Sequence, residues 1–342
     1  MIRMVIKNWK SFIKATMAYK KNPSEFTGRP KMPGYLYKKK DYATVFIDSS
    51  RLRHGRTDNE FRLPCTNIFI SYPKWIDPDS IAMVSVQPYY GKVKINIVID
   101  VEDDFEKMEP NFSAIGIDLG VCNLCAITAN DKDLSYVVKG GPMKSTNQFY
   151  NKKKAEIQSM LMKCNKDQHK SHRLDSLTKK RNNKIKDYMH KASRKIVDMC
   201  RKNNISKIVI GHNDGWKQKV RIGKRNNQNF VQIPFNTLIE QIKYKAEMYG
   251  IEVVTVNESY TSKCDHLAFE TMEHHDKYIG KRTKRGMFVS STGKTLNADI
   301  NGAIGMLLKG NAISDAQVLR LRDRGDVVSP AVLETQPVKC FM

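Results

Sequence analysis

Asp118, Glu258 and Asp299 are the residues from which chemistry can first be argued. Asp118 stands in Ala114-Ile-Gly-Ile-Asp-Leu-Gly120, which reads as a short buried strand running into a glycine turn. Side chains alternate along a strand, so Ile115 and Ile117 share one face and Asp118 takes the other. An acid is costly to bury there without a partner. Alone, an Asp before Gly is ordinary turn chemistry. The odds change because a second apolar segment, 251–257, delivers Glu258, and Asp299 opens a helix capped by Asn297. Three carboxylates in one pocket repel one another and hold protons unless cations are bound. Mg2+ prefers such oxygen ligands, with Mn2+ as a substitute. Two ions about 3.5–4 Å apart can activate a water and stabilise the leaving oxygen in phosphodiester cleavage. In that arrangement Asp118 bridges the ions, and Glu258 and Asp299 each complete one coordination shell. The chemistry needs no nucleophilic side chain, and the chain has neither a Ser-His-Asp pattern nor a P-loop.

Several elements must bring these residues together. Helical spacing of Val5, Ile6, Trp9, Phe12 and Ile13 predicts a helix over 2–21. A Pro- and Gly-bearing connector follows, where Arg29, Lys31, Lys38, Lys39 and Lys40 lie among Tyr35 and Tyr37. It is either a solvated linker or a contact that pairs phosphates and stacks bases. Strands are predicted at 42–47, 67–72, 81–87 and 93–101, the last two as a hairpin, which suggests a small barrel. After a linker at 103–110, the Asp118 strand is followed by strands at 124–128 and 134–138. Three antiparallel strands with an acid on the first are how an RNase H-like sheet begins. Residues 146–203 read as two basic helices broken near 165–170, with Lys180, Arg181, Lys184 and Arg194 among their cations. A strand at 205–211, a polar loop over 212–232, a helix over 234–249 stopped by Gly250 and the strand at 251–257 suggest parallel pairing in the second half. Residues 259–295 look irregular and basic; Arg282 and Arg285 there either clamp a phosphate or form a mobile lid over the site, or simply belong to a solvated loop. The last 30 residues lack a pattern and are expected to drape over the surface.

Composition narrows the class. Lys and Arg number 59 against 35 Asp and Glu, a net charge of +24. Such an excess points to a polyanion, nucleic acid before an anionic membrane. No apolar run reaches the roughly 20 residues that span a bilayer, and Lys7, Lys10 and Lys14 interrupt any signal-peptide core. Seven scattered cysteines give no disulfide framework, which fits a reducing cytoplasm.

Gly116-Ile-Asp-Leu-Gly120, Asn257-Glu-Ser-Tyr-Thr-Ser-Lys263 and Asn297-Ala-Asp-Ile-Asn-Gly-Ala303 resemble the three RuvC motifs of the TnpB (OrfB) family of insertion sequences, relatives of type V CRISPR effectors. Lys21-Asn-Pro-Ser24, Phe26-Thr-Gly-Arg-Pro-Lys31 and Lys281-Arg-Thr-Lys-Arg-Gly286 add to the resemblance. It implies an RNA-guided, Mg2+-dependent DNA endonuclease with Asp118, Glu258 and Asp299 as its catalytic and metal-binding triad. Its partners would be target DNA and a guide RNA from the transposon end. The implied fold is α/β: an RNase H-like (RuvC) domain over 111–310, with basic helices at 146–203 holding a heteroduplex and a degenerate zinc-ribbon or lid region at 259–296. Ahead of it stand a helix and linker (1–41) and a partial β-barrel, wedge-like domain (42–110); a tail (311–342) follows. Relative to the family the chain reads as shortened at its N-terminus. The family's two Cys-x-x-Cys pairs are missing between the second and third acids, where Cys264, His266, His274 and His275 stand alone, so the pattern speaks against zinc. A non-cleaving nucleic-acid-binding regulator and an inactive remnant of a mobile element are the competing readings.

Overall fold

The computed structural model describes residues 2–34, 44–102, 105–164, 169–213, 223–284 and 286–335. Lys38, Lys39, Lys40 and Arg285, expected to touch nucleic acid, lie outside the described residues. The chain divides into two units, 1–102 and 103–342.

In the first unit, α1 (Ile2–Lys21) forms where its apolar spacing predicts. Its Val5, Ile6, Trp9 and Ile13 remain exposed. Six strands follow: β1 (Val45–Asp48), β2 (Arg53–His54), β3 (Glu60–Arg62), β4 (Phe69–Ser71), β5 (Ile81–Tyr89) and β6 (Lys92–Ile99). They build two three-stranded antiparallel sheets, β1-β5-β6 and β2-β3-β4, where one small barrel was expected. Ile47 pairs with Val84, which pairs with Ile97, so one face of the first sheet is apolar. Ile47, Phe61, Leu63, Tyr72, Ile76, Ile81 and Val84 form the core of the unit. Strands β2 and β3 escaped the sequence reading because two or three residues are too few to display an alternation.

The second unit opens with the expected meander, β7 (Ala114–Leu119), β8 (Asn123–Ala129) and β9 (Ser135–Lys139). Then come α2 (Gly141–Cys164), α3 (His172–Lys202), β10 (Lys207–Gly211), α4 (Lys224–Val231), α5 (Phe235–Glu247) and β11 (Glu252–Val256). A three-stranded antiparallel ribbon follows: β12 (Lys281–Lys284), β13 (Met287–Val289) and β14 (Thr295–Asn297). It leads directly into α6 (Ala298–Lys309), and α7 (Asp315–Leu321) and β15 (Ala331–Val332) close the described chain. The main sheet has the order β11-β10-β7-β8-β9-β15. Strand β10 pairs in parallel with both β7 and β11, as the strand–helix alternation predicts.

The sheet is the middle of three layers. Ile115, Ile117 and Leu119 on one face pack with Ile196 and Val197 of α3 and with Leu238, Ile239 and Ile242 of α5. Each such buried side chain is worth about 1.5–3 kcal/mol. Helix α6 covers the other face, beside Ala126, Val137, Leu267 and Phe288. Helix α5 stops as expected: Gly250 adopts φ +69°, a left-handed conformation that favours glycine.

Three expectations are corrected. The loop expected over 212–232 contains α4, and the irregular region 259–295 contains most of the ribbon. The tail does not merely drape. Ser314 and Gln317 form a capping box, Val318 and Leu321 of α7 are buried, and β15 adds to the sheet edge in parallel with β9. Buried Arg324 fastens it, donating to the Ala129 carbonyl at 2.8 Å and to Asp326 at 2.6 Å. The segments are too short for a period, and their order comes from the sheet they meet.

Candidate active site

The three acids come from three different elements. Asp118 is on β7, and it alone in that strand is not fully buried. Glu258 lies two residues beyond β11. Because β7 and β11 both run parallel to β10, which lies between them, Asp118 and Glu258 emerge at the same end of the sheet. This carboxyl end is where open α/β sheets leave room for ligands. At the end of β10 stands Gly211. A Cβ on it would lie 3.3 Å from the Glu258 Cβ and 2.5 Å from the Met306 sulfur, so only glycine leaves the gap open.

Asp299 arrives from the covering layer. Asn297 caps α6, its Oδ1 accepting from the Asp299 N–H at 2.9 Å and the Ile300 N–H at 3.3 Å. That places Asp299 in the first turn, where the positive end of the helix dipole favours a carboxylate. The helix then runs against β7. A Cβ on Gly116 would lie 2.1 Å from the Ala303 carbonyl oxygen, and a Cβ on Gly302 would lie 2.8 Å from Asp118 Oδ2. Backbone therefore meets backbone across this layer, and the Asp118 carboxylate rests on α6 three residues from Asp299. Asn123, at the start of β8, donates its amide to Asp299 Oδ2 at 2.8 Å.

The electrostatics follow from this crowding. Burial first, then the charges of Asp299 and Glu258, push the Asp118 carboxyl up to about 8. Arg282 on β12 and a hydrogen bond at the Leu119 backbone pull the other way. Burial pushes Glu258 up to about 7 against the attraction of Lys309. Asp118 is thus coupled to both other acids. Among the described residues, no three His, Cys, Asp or Glu side chains surround one point suited to a metal ion. The acids instead share Asp118 as their common neighbour. A carboxylate held towards protonation by burial and by two neighbouring acids, as Asp118 is, fits the chemistry of a hard divalent cation.

The expected zinc-region residues are engaged otherwise. The Cys264 thiol donates to the Thr271 carbonyl at 3.4 Å, His266 Nε2 donates to the Thr261 carbonyl at 2.7 Å, and His275 Nε2 donates to the Thr271 carbonyl at 2.8 Å. His274 lies edge-on to Tyr260. The ribbon is held by Asp265, whose Oδ2 accepts from Ser290 Oγ at 2.9 Å and the Ser291 N–H at 2.6 Å.

The candidate nucleic-acid contacts divide. Arg29, Lys31, Lys180, Lys184 and Arg282 are exposed. Arg194 is also exposed but pairs with Asp198 at 3.0 Å. Arg181 is a strut: its guanidinium donates to Asn147 at 2.8 Å and to the Gln232 carbonyl at 2.9 Å, tying α3 to α2. Sequence reasoning missed Asn123, Gly211 and Gly302. For Gly302 a signal existed, since glycine inside a helix costs about 1 kcal/mol against alanine and marks a close approach. Asn123 carried none, because its partner is set by the fold.

Residues 96–217 match the family model OrfB_IS605, described as "Probable transposase", and residues 235–306 match the "Cas12f1-like, TNB domain". The first match contains Asp118, and the second contains Glu258 and Asp299. The "TnpB-like protein ORF457" of Acidianus two-tailed virus is 25% identical over 229 residues, 64% of this chain and 47% of that protein. The "Putative RNA-guided DNA endonuclease InsQ" of Escherichia coli K12 is 25% identical over 248 residues, 67% of this chain and 57% of that protein. The chain thus spans about half the length of these curated relatives. Among solved structures, a Cas12f1–sgRNA–target DNA complex is similar at 20% identity with a TM-score of 0.47, covering 66% of this chain and 45% of that one. Among the described residues, no helix is long and apolar enough to cross a membrane.

Proposed function

Because the chain belongs to the TnpB (OrfB) family, we propose that it is an RNA-guided DNA endonuclease that hydrolyses phosphodiester bonds at a RuvC-like carboxylate site. Residues 111–310 are then an RNase H-like nuclease body and residues 42–110 a wedge-like module. A transposon-end RNA would be the guide and a matching DNA strand the target. One observation carries the reading: parallel pairing through β10 brings Asp118 and Glu258 to the same end of the sheet, and α6, which carries Asp299 in its first turn, lies against the Asp118 carboxylate, which burial and the two other acids push towards its protonated form. A structural carboxylate gains nothing from such company.

Asp118, Glu258 and Asp299 would hold Mg2+, which when bound supplies an activated water and charge stabilisation at the scissile phosphate. The chain's own groups prepare the site. Asn123 fixes one carboxylate oxygen of Asp299. Gly211 and Gly302 keep side chains out of the space beside Glu258 and Asp118. Arg282, close enough to attract the Asp118 charge, offers a cation to a phosphate entering beside the ribbon. Arg29, Lys31, Lys180, Lys184 and Arg194 would hold nucleic-acid backbones, while base pairing reads sequence.

The test combines purified chain, RNA transcribed from the element end, a supercoiled plasmid bearing the matching target, and Mg2+. Linear product that disappears in Asp118→Ala, with binding kept, supports the proposal. Salt-sensitive binding without cleavage by the unaltered chain would instead favour a non-cleaving regulator.

A further inference from the structure

Glu258 is the acid with the weakest scaffold. It stands beyond the last ladder-paired residue of β11, so no strand neighbour fixes its backbone. Its own N–H is taken by Asn213 Oδ1 at 3.1 Å, and its carbonyl accepts from Thr261 Oγ1 at 2.7 Å. The carbonyls on either side are held from elsewhere. The Lys309 ammonium donates to the Asn257 carbonyl at 2.8 Å and to the Ser259 carbonyl at 2.6 Å, straddling Glu258.

Lys309 is the last residue of α6, the helix that carries Asp299 in its first turn. Successive stations on this helix meet each part of the site. Asp299 stands at its start, Gly302 lies against Asp118, and Gly305 lies against His266 and Thr261. Met306 fills the space at Gly211, and Lys309 reaches the turn that holds Glu258. An α-helix rises 1.5 Å per residue, so the stations span about 15 Å of one rigid rod.

We propose that Lys309 is a positioning residue that indexes Glu258 to α6, and through it to Asp118 and Asp299. This rests on the nuclease reading above. Two of the three ammonium protons go to these carbonyls, which ties the end of α6 to the backbone on both sides of Glu258. It fixes where the Glu258 carboxylate stands, and the distance between ligands governs how tightly a cation is held. Groups that orient metal ligands typically contribute 10–100-fold to metal affinity.

The experiment measures Mn2+ affinity by calorimetry and plasmid cleavage for the full chain and three variants, with thermal melting as a check on folding. Lys309→Met keeps the aliphatic stem and removes the donors. It is expected to weaken Mn2+ binding and slow cleavage by about 10–100-fold while leaving RNA affinity unchanged. Lys309→Arg, which can still donate to both carbonyls, is expected to recover most of both losses. Asp118→Ala reports on the underlying reading. If Asp118→Ala loses Mn2+ and cleavage while Lys309→Met binds Mn2+ like the unaltered chain, the Lys309 proposal is wrong and the nuclease reading stands. If the unaltered chain neither binds Mn2+ nor cuts, both fall. Should Lys309→Met fail to fold, a fourth variant, Lys309→Gln, whose shorter side chain cannot reach both carbonyls, decides: Mn2+ affinity at least about tenfold below the unaltered value in the folded variant, with RNA binding intact, supports positioning, and unchanged affinity overturns it.

Discussion

Asn123 and Asp299, 176 positions apart in sequence, meet through a 2.8 Å hydrogen bond from the Asn123 amide to Asp299 Oδ2. The bond joins the start of β8 to the first turn of α6, so it couples the central sheet to the helix layer at the candidate site. Asn123→Ala is expected to cost only about 0.5–1.5 kcal/mol of stability, the net worth of one such bond. Cleavage is expected to fall about 10–100-fold, as for other groups that orient metal ligands. Melting and plasmid cleavage measured together check this; equal cleavage would remove Asn123 from the site.

Gly302→Ala tests the close approach of α6 to β7. The new methyl would begin 2.8 Å from Asp118 Oδ2 and must displace the carboxylate or the helix. Helix propensity alone favours alanine by about 1 kcal/mol, while overpacking typically costs about 1–3 kcal/mol. Misplacement of a reacting group by about 1 Å can cost 100-fold in rate. The variant should therefore stay folded and bind RNA normally, yet cut at least about 100-fold more slowly. A variant as active as the unaltered chain would show that Asp118 need not stand where it does.

The pH dependence of stability has a definite sign. Asp118 holds its proton to about 8 in the fold, against an ordinary value of 3.8. Between those values the folded chain binds more protons than the unfolded one, so stability in chelator falls as pH rises and levels off above about 8. Glu258, raised to about 7, adds to the fall over its own range. Urea midpoints at pH 5 and pH 8.5 in chelator should differ in that direction. Asp118→Asn should shrink the difference, and Mg2+ should shrink it for the unaltered chain by replacing the protons.

Lys180 and Lys184, both exposed on α3, are the cleanest probes of backbone contact. Each lost phosphate contact on duplex DNA reduces the slope of log affinity against log salt by about 0.9. The double alanine variant should bind more weakly at low salt and lower the slope by about 1–2. Arg181→Ala should behave differently, since its guanidinium ties α3 to Asn147 and Gln232: it should lower the melting temperature. An unchanged salt slope in the lysine variant would move the nucleic-acid path off this helix.

The amino-acid sequence by itself determined the strands and helices whose patterns are long enough to repeat. Strands β5, β6 and β7 and helices α1, α3, α5 and α6 follow from alternation or helical spacing, and the ends of α5 and α6 from Gly250 and Asn297. It also singled out three acids, because a carboxylate at the end of an apolar strand is a local conflict that needs a reason. Only the tertiary structure decided what those acids touch. Parallel pairing through β10 set Asp118 and Glu258 at one end of the sheet, and the glycine-lined approach of α6 brought Asp299 to Asp118. Asn123 and Lys309 are tied to the candidate site only through bonds to groups far away in the chain. Short elements such as β2, β3 and β15 likewise acquire order from the surfaces they meet. Local sequence carries period and capping; partners across long loops are selected by packing, which no window of neighbouring residues contains.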